Sequence, residues 1–76
     1  MTVQEQLAEY SIQDIIEYIV LDNNIEYDLA MQKFFSSETF DKLMDIETGL
    51  YRESSAYVYD MYCYEVSNGY FLQNEI

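Results

Sequence analysis

This chain has no histidine, no proline and no tryptophan, a single cysteine, two glycines and only three basic residues. Without histidine, no side chain titrates near neutrality by its own nature, and no Ser-His or Cys-His pair can be built. The lone Cys63 excludes an internal disulfide, so a reducing cytoplasm is the expected compartment. No basic neighbour stands beside it to stabilise a thiolate, and it reads as a small packing residue. No apolar run approaches the ~20 residues that a membrane span needs. The opening MTVQEQLAEY has no basic region before an apolar stretch, so no signal peptide is expected. There is no low-complexity tract and no internal repeat.

What is present is acid. Fifteen carboxylates face Lys33, Lys42 and Arg52, for a net charge of −12 and an isoelectric point near 4.1. Such a chain repels phosphate backbones and anionic lipid, so direct binding to nucleic acid or membrane is disfavoured. Basic proteins are the natural partners, because complementary fields speed their encounter. Plain solubility explains the same charge. Half the residues are apolar, a globular composition. The 76 residues make one domain, 1–76, in which area scaling buries roughly 60% of the unfolded surface.

Periodicity predicts helices. Thr2 to Glu5 reads T-x-x-E and Ser11 to Asp14 reads S-x-x-D, both N-cap signatures. Ile12, Ile15, Ile16, Ile19 and Val20 share one helical face. Whether residues 3–21 form one helix or two, broken near Tyr10-Ser11, stays open. Asp22-Asn23-Asn24 is a turn, from which Asn23 with Glu26 can cap the next helix. There Tyr27, Ala30, Met31, Phe34 and Phe35 repeat the spacing. Ser36-Ser37 end that segment and can cap a shorter one with Phe40, Leu43 and Met44 inside. Glu38, Asp41 and Asp45 then form an acidic ridge outside.

Gly49 stands where a helix ending near Glu47 wants a left-handed residue. Leu50 and Tyr51 fold back as apolar anchors, and Ser54 or Ser55 caps the last segment. That segment alternates well enough for a strand, with Asn68-Gly69 closing a hairpin onto Tyr70-Phe71-Leu72. Its serine cap and helical neighbours favour a helix instead. The expected architecture is all-α, a single-domain bundle of about four short helices around an Ile, Phe, Met and Tyr core.

Chemistry is sparse. Carboxylate pairs are expected by chance in so acidic a chain, and no enzyme activity or cofactor is expected. Asp22, Asn24, Glu26 and Asp28 fall on alternate places of a calcium loop, yet Tyr27 stands where glycine is needed and Lys33 where glutamate is. A helix start explains them better, and zinc has only carboxylates to bind.

Tyrosine is the stronger signal, nine in 76 residues. No helix can turn Tyr57, Tyr59, Tyr62, Tyr64 and Tyr70 all inward, and tyrosine is enriched where proteins meet. Tyr18, Leu21 and Leu29 point off their apolar stripes and add further candidates. The competing reading is a small core capped by amphipathic rings. Arg52, alone among acids, reads as an internal ion-pair partner. Rows such as Glu5 with Glu9, Asp14 with Glu17, and Glu38 with Asp41 and Asp45 place acids about 5–6 Å apart, as a mimic of a phosphate backbone would.

The run from Tyr27 to Tyr62 resembles a group of small bacterial and phage accessory proteins of uncharacterised activity. Their shared pattern is an acidic amphipathic helix, then F-x-x-L, then D-x-E-T-G-L-Y-x-x-S-x-x-Y-x-Y. It falls here on Phe40, Leu43, Asp45, Glu47, Thr48, Gly49, Leu50, Tyr51, Ser54, Tyr57 and Tyr59. The resemblance implies a compact helical protein from a setting rich in toxin–antitoxin and counter-defence genes. It implies no chemistry.

The function expected is inhibition by binding. The protein would occupy a basic surface of a nucleic-acid-handling enzyme, a toxin or a CRISPR-type nuclease, through Glu38, Asp41, Asp45, Tyr51, Tyr57, Tyr59 and Tyr62. The alternative is a structural or adaptor subunit that associates through an aromatic face, with itself as a homodimer or with another protein, its charge serving solubility alone.

Overall fold

The computed structural model describes residues 2–69. Within them the chain forms α1 (Val3–Asn23), α2 (Tyr27–Phe35), α3 (Glu38–Met44) and α4 (Ser55–Asn68), with two 3₁₀ turns, Ile46–Thr48 and Leu50–Arg52, between α3 and α4. The all-α architecture of four helices is as the periodicity predicts. No described residue is in a strand. The segment Tyr70-Phe71-Leu72 lies outside the described residues.

Helix α1 is a single element of 21 residues, unbroken at Tyr10-Ser11. Thr2 opens it with a complete capping box: Thr2 Oγ1 accepts from the Glu5 N–H at 3.1 Å, and Glu5 Oε1 accepts from the Thr2 N–H at 2.9 Å. Ser11 caps nothing. It lies buried on the inner face with Ala8, Ile15, Ile16 and Ile19, so its signature marks no second start. Asn24 ends the helix in the left-handed region at φ 54°, a conformation asparagine tolerates. Asn23 remains helical and donates through Nδ2 to the Ile19 carbonyl at 2.9 Å, so it does not cap α2. Glu26 takes the N-cap position of α2 without a side-chain bond to it.

A seven-residue helix such as α3 is too short to stand alone in water. Contacts from both directions along the chain hold it. Ser37 Oγ accepts from the Phe40 N–H at 3.1 Å and donates to the Phe34 carbonyl at 2.6 Å. From α4, Glu65 accepts from the backbone N–H groups of Glu38 and Thr39 at 2.8 and 2.9 Å, and from Thr39 Oγ1 at 2.8 Å. A carboxylate distant in sequence thus closes the open amides of the first turn, where the helix dipole also favours negative charge.

Gly49 adopts φ 71°, as its place in the sequence requires, but the element it ends differs. Helix α3 stops at Met44, because Asp45 turns to extended backbone and its carboxylate accepts from the Glu47 N–H at 3.1 Å. Gly49 therefore joins two 3₁₀ turns. The return buries Leu50 against the core. Ser54 caps α4 by accepting from the Tyr57 N–H at 3.1 Å, and Gly69 stops it at φ 77°.

Phe34 stands at the centre with no exposed surface. Its ring meets Phe40 and Tyr62 edge-on, with centroids 5.6 and 5.7 Å away, a favoured aromatic geometry. Ile15, Ile16 and Ile19 of α1, Leu43 of α3 and Val58 of α4 close around it. Two seam contacts set the direction of α4. Ser55 Oγ donates to Asp14 Oδ2 at 2.8 Å, and Tyr59 Oη donates to Asp22 Oδ2 at 2.6 Å. Advancing along α4 therefore advances along α1, and the two helices run parallel.

Candidate protein-binding surface

The seven residues singled out from the sequence do not form one patch. Glu38 is half-buried at the pinned start of α3, and Asp41 is exposed one turn on. Asp45 has left the helix to cap the following turn, so the three-membered acidic ridge ends at Asp41. Tyr51 is half-buried. Arg52 Nε donates to Tyr51 Oη at 3.2 Å, and the guanidinium carbon lies 5.5 Å from the Tyr51 ring centroid, a cation–π distance. Among the described residues, that ring and hydroxyl, and not a carboxylate, are what Arg52 engages.

Tyr57 is 48% exposed and open to contact. Tyr62 is not: it is 6% exposed, packed on Phe34 and stacked at 6.2 Å against Tyr59, so it serves the core. Tyr59 is half-buried between Tyr62 and Tyr18, whose centroid lies 5.3 Å away. Burial pushes its phenol well above the ordinary tyrosine range, and the bonds to Asp22 and the nearby Cys63 push it the same way. Burial also raises the Tyr62 phenol, with Glu65 and Cys63 adding to it. Both rings are neutral, apolar-faced packing elements at physiological pH.

Charge behaves differently from tyrosine. Of the fourteen carboxylates among residues 2–69, all but Glu38 and Glu65 are exposed. Helix α1 alone carries Glu5, Glu9, Asp14, Glu17 and Asp22 and no basic residue. Among the described residues, no three His, Cys, Asp or Glu side chains come together as a metal-binding group. No described helix is long and apolar enough to cross a membrane.

Sequence reasoning missed one surface. On the side of α1 opposite its isoleucines, Val3, Leu7, Tyr10 and Leu21 are 68%, 41%, 62% and 78% exposed. With Asp14 and Glu17 they occupy positions 3, 7, 10, 14, 17 and 21. These steps of four and three residues keep a single row on a helix, as in the seam of a coiled coil. The row runs about 27 Å at about 1.5 Å per residue. Its signal was present in the sequence as a second period beside the isoleucine stripe, but only Leu21 drew notice.

At its Leu21 end the row opens into a shallow groove between α1 and α4 of about 220 Å³. Tyr18, Leu21, Ala56 and Tyr59 form its largely apolar lining, and Asp22 and Asp60 contribute its carboxylates. The outer row and groove together offer apolar contact bordered by uncompensated negative charge, while the opposite face of α1 is sealed in the core. No family model, no curated protein and no solved structure matches this chain.

Proposed function

We propose that this protein acts by binding and not by catalysis: it seats on a basic protein surface that would otherwise handle nucleic acid, and blocks it. One observation carries the reading. The fold leaves its charge almost wholly at the surface, with twelve of fourteen described carboxylates exposed and only Lys33, Lys42 and Arg52 to offset them. A field of this kind accelerates encounter with a basic groove and opposes approach to phosphate. Asp41 and Tyr57 stand open for contact beside it, and Leu21 and Leu29 supply apolar area that slows dissociation. In a reducing cytoplasm the half-buried Cys63 stays a free thiol. A toxin or a CRISPR-type nuclease is the class of enzyme whose groove would fit.

The test is recovery of the tagged protein from its native cells at low and at high salt, with identification of what accompanies it. A basic nuclease or toxin, held at low salt and released at high salt, is the expected result. A neutral partner that resists salt, or this protein alone, would overturn the reading and favour the adaptor alternative. The burial of Tyr62 already removes one ring from the aromatic face which that alternative needs.

A further inference from the structure

The partner-facing element is the outer row of α1, and its distribution of charge restricts what can lie on it. We infer that Val3, Leu7, Tyr10 and Leu21 dock a basic amphipathic helix of the partner, one of whose arginines enters the groove between α1 and α4. The inference rests on the basic-partner reading above and locates the contact.

The heptad spacing of the row matches the seam that another helix presents, and its length accommodates about three heptads. Helix-on-helix docking of this kind reads anchors at i, i+3, i+4 and i+7. Charge selects the occupant. Asp14 and Glu17 interrupt the apolar row, and α1 has no basic residue to balance them. A second copy of this chain brings no basic residue on α1 to offset Asp14 and Glu17, whereas a basic helix sets Lys or Arg opposite them.

The groove supplies the more specific element. Tyr18 and Tyr59 offer ring surface for the aliphatic stem and planar head of an arginine, and Asp22 and Asp60 can accept from its guanidinium. Asp22 Oδ2 already holds the Tyr59 hydroxyl, which fixes both the carboxylate and the ring for that contact.

The probe is a synthetic helical peptide of about 18 residues with leucine at the a and d positions that meet the apolar members of the row, and arginine at those that meet Asp14 and Glu17 and at e and g. It is titrated into the isotope-labelled full chain and followed by NMR, with a peptide of the same composition in scrambled order as control. Expected are shifts at Val3, Leu7, Tyr10, Tyr18, Leu21 and Asp60, and weaker binding of the scrambled peptide. Leu21→Lys, at a site too exposed to unfold the chain, weakens binding about tenfold, and Asp60→Asn lowers both affinity and its salt dependence.

Absence of binding, shifts confined to α2 and α3, or equal binding of the scrambled peptide would each overturn the assignment. So would a dimer of the free chain, seen by sedimentation, that Leu21→Lys abolishes, since a second copy would then own this face. These failures leave the basic-partner reading standing. That reading falls only if cells yield no basic protein.

Discussion

In α3 the first acid of the row, Glu38, is half-buried and gives its backbone N–H to Glu65, whereas in α1 Glu9 and Glu17 stand in solvent on a helix held from one side only. Both segments show acids at helical spacing, and the fold puts them to different use. Helix α3 is short and must be stabilised by its neighbours, so its N-terminus is spent on a carboxylate from α4 and its C-terminus on the Asp45 cap. Helix α1 is long, carries its own capping box and buries five residues on its inner face. Its outer face is therefore not needed for folding. An acidic pattern becomes available to a partner only where stability has been secured elsewhere.

The sharpest way to break this comparison is to treat the two sides of α1 alike. Ile15→Ala, which opens a cavity in a fully buried site, should destabilise the protein by about 2–5 kcal/mol in denaturant melts. Leu21→Ala on the outer side should stay within about 0.5 kcal/mol of the parent. Equal losses would mean that the outer row is structural after all.

The next largest effect concerns α3. Glu65→Ala removes the acceptor for two backbone amides and the Thr39 hydroxyl, and should cost about 2 kcal/mol. Hydrogen exchange should show it locally, with faster exchange of α3 amides and little change in the first half of α1. Uniform loss of protection would show that α3 is not separately pinned.

A smaller effect is expected at the seam between α1 and α4. Tyr59→Phe deletes the hydrogen bond to Asp22 while keeping the ring stack, and should cost about 1 kcal/mol at neutral pH. The folded Tyr59 phenol is raised above its unfolded value, so its contribution is intact below about pH 10 and is lost as the pH rises beyond it. Alkaline melts should therefore destabilise the parent more steeply than Tyr59→Phe. Parallel curves would show that the phenol is not linked to folding. Smallest of all, Asp41→Asn should leave stability within about 0.5 kcal/mol, because its carboxylate has no hydrogen-bond partner among the described residues.

Much of the fold was legible, and the reason is local. Apolar residues three and four apart identify α1, α2 and α3, since a helix of 3.6 residues per turn brings them to one face whatever follows. Helix α4 alternates well enough for a strand and is told by its serine cap and its neighbours. The Thr2–Glu5 box, the Ser37 and Ser54 caps and the left-handed Gly49 and Gly69 depend on neighbouring backbone only, and each could be read within a few residues. Errors came where two local signals competed. Ser11 has the form of a cap, but burial with Ala8 and Ile15 outweighs the break it would make. Asp45 continues the spacing of Glu38 and Asp41, yet its carboxylate caps the next turn, and the row ends.

The site was less legible. Composition shows that the chain is acidic, tyrosine-rich and without histidine, and those facts alone exclude much chemistry. Which tyrosines face inward was decided by the parallel course of α4 along α1, which stacks Tyr18, Tyr59 and Tyr62 and turns Tyr62 onto Phe34. The same packing decided that Val3, Leu7, Tyr10 and Leu21 remain uncovered while the isoleucines opposite them do not. A helix with two apolar faces has two ways to sit on a core. Only the tertiary structure chose between them, because the energy of burial depends on which neighbours arrive to cover each face.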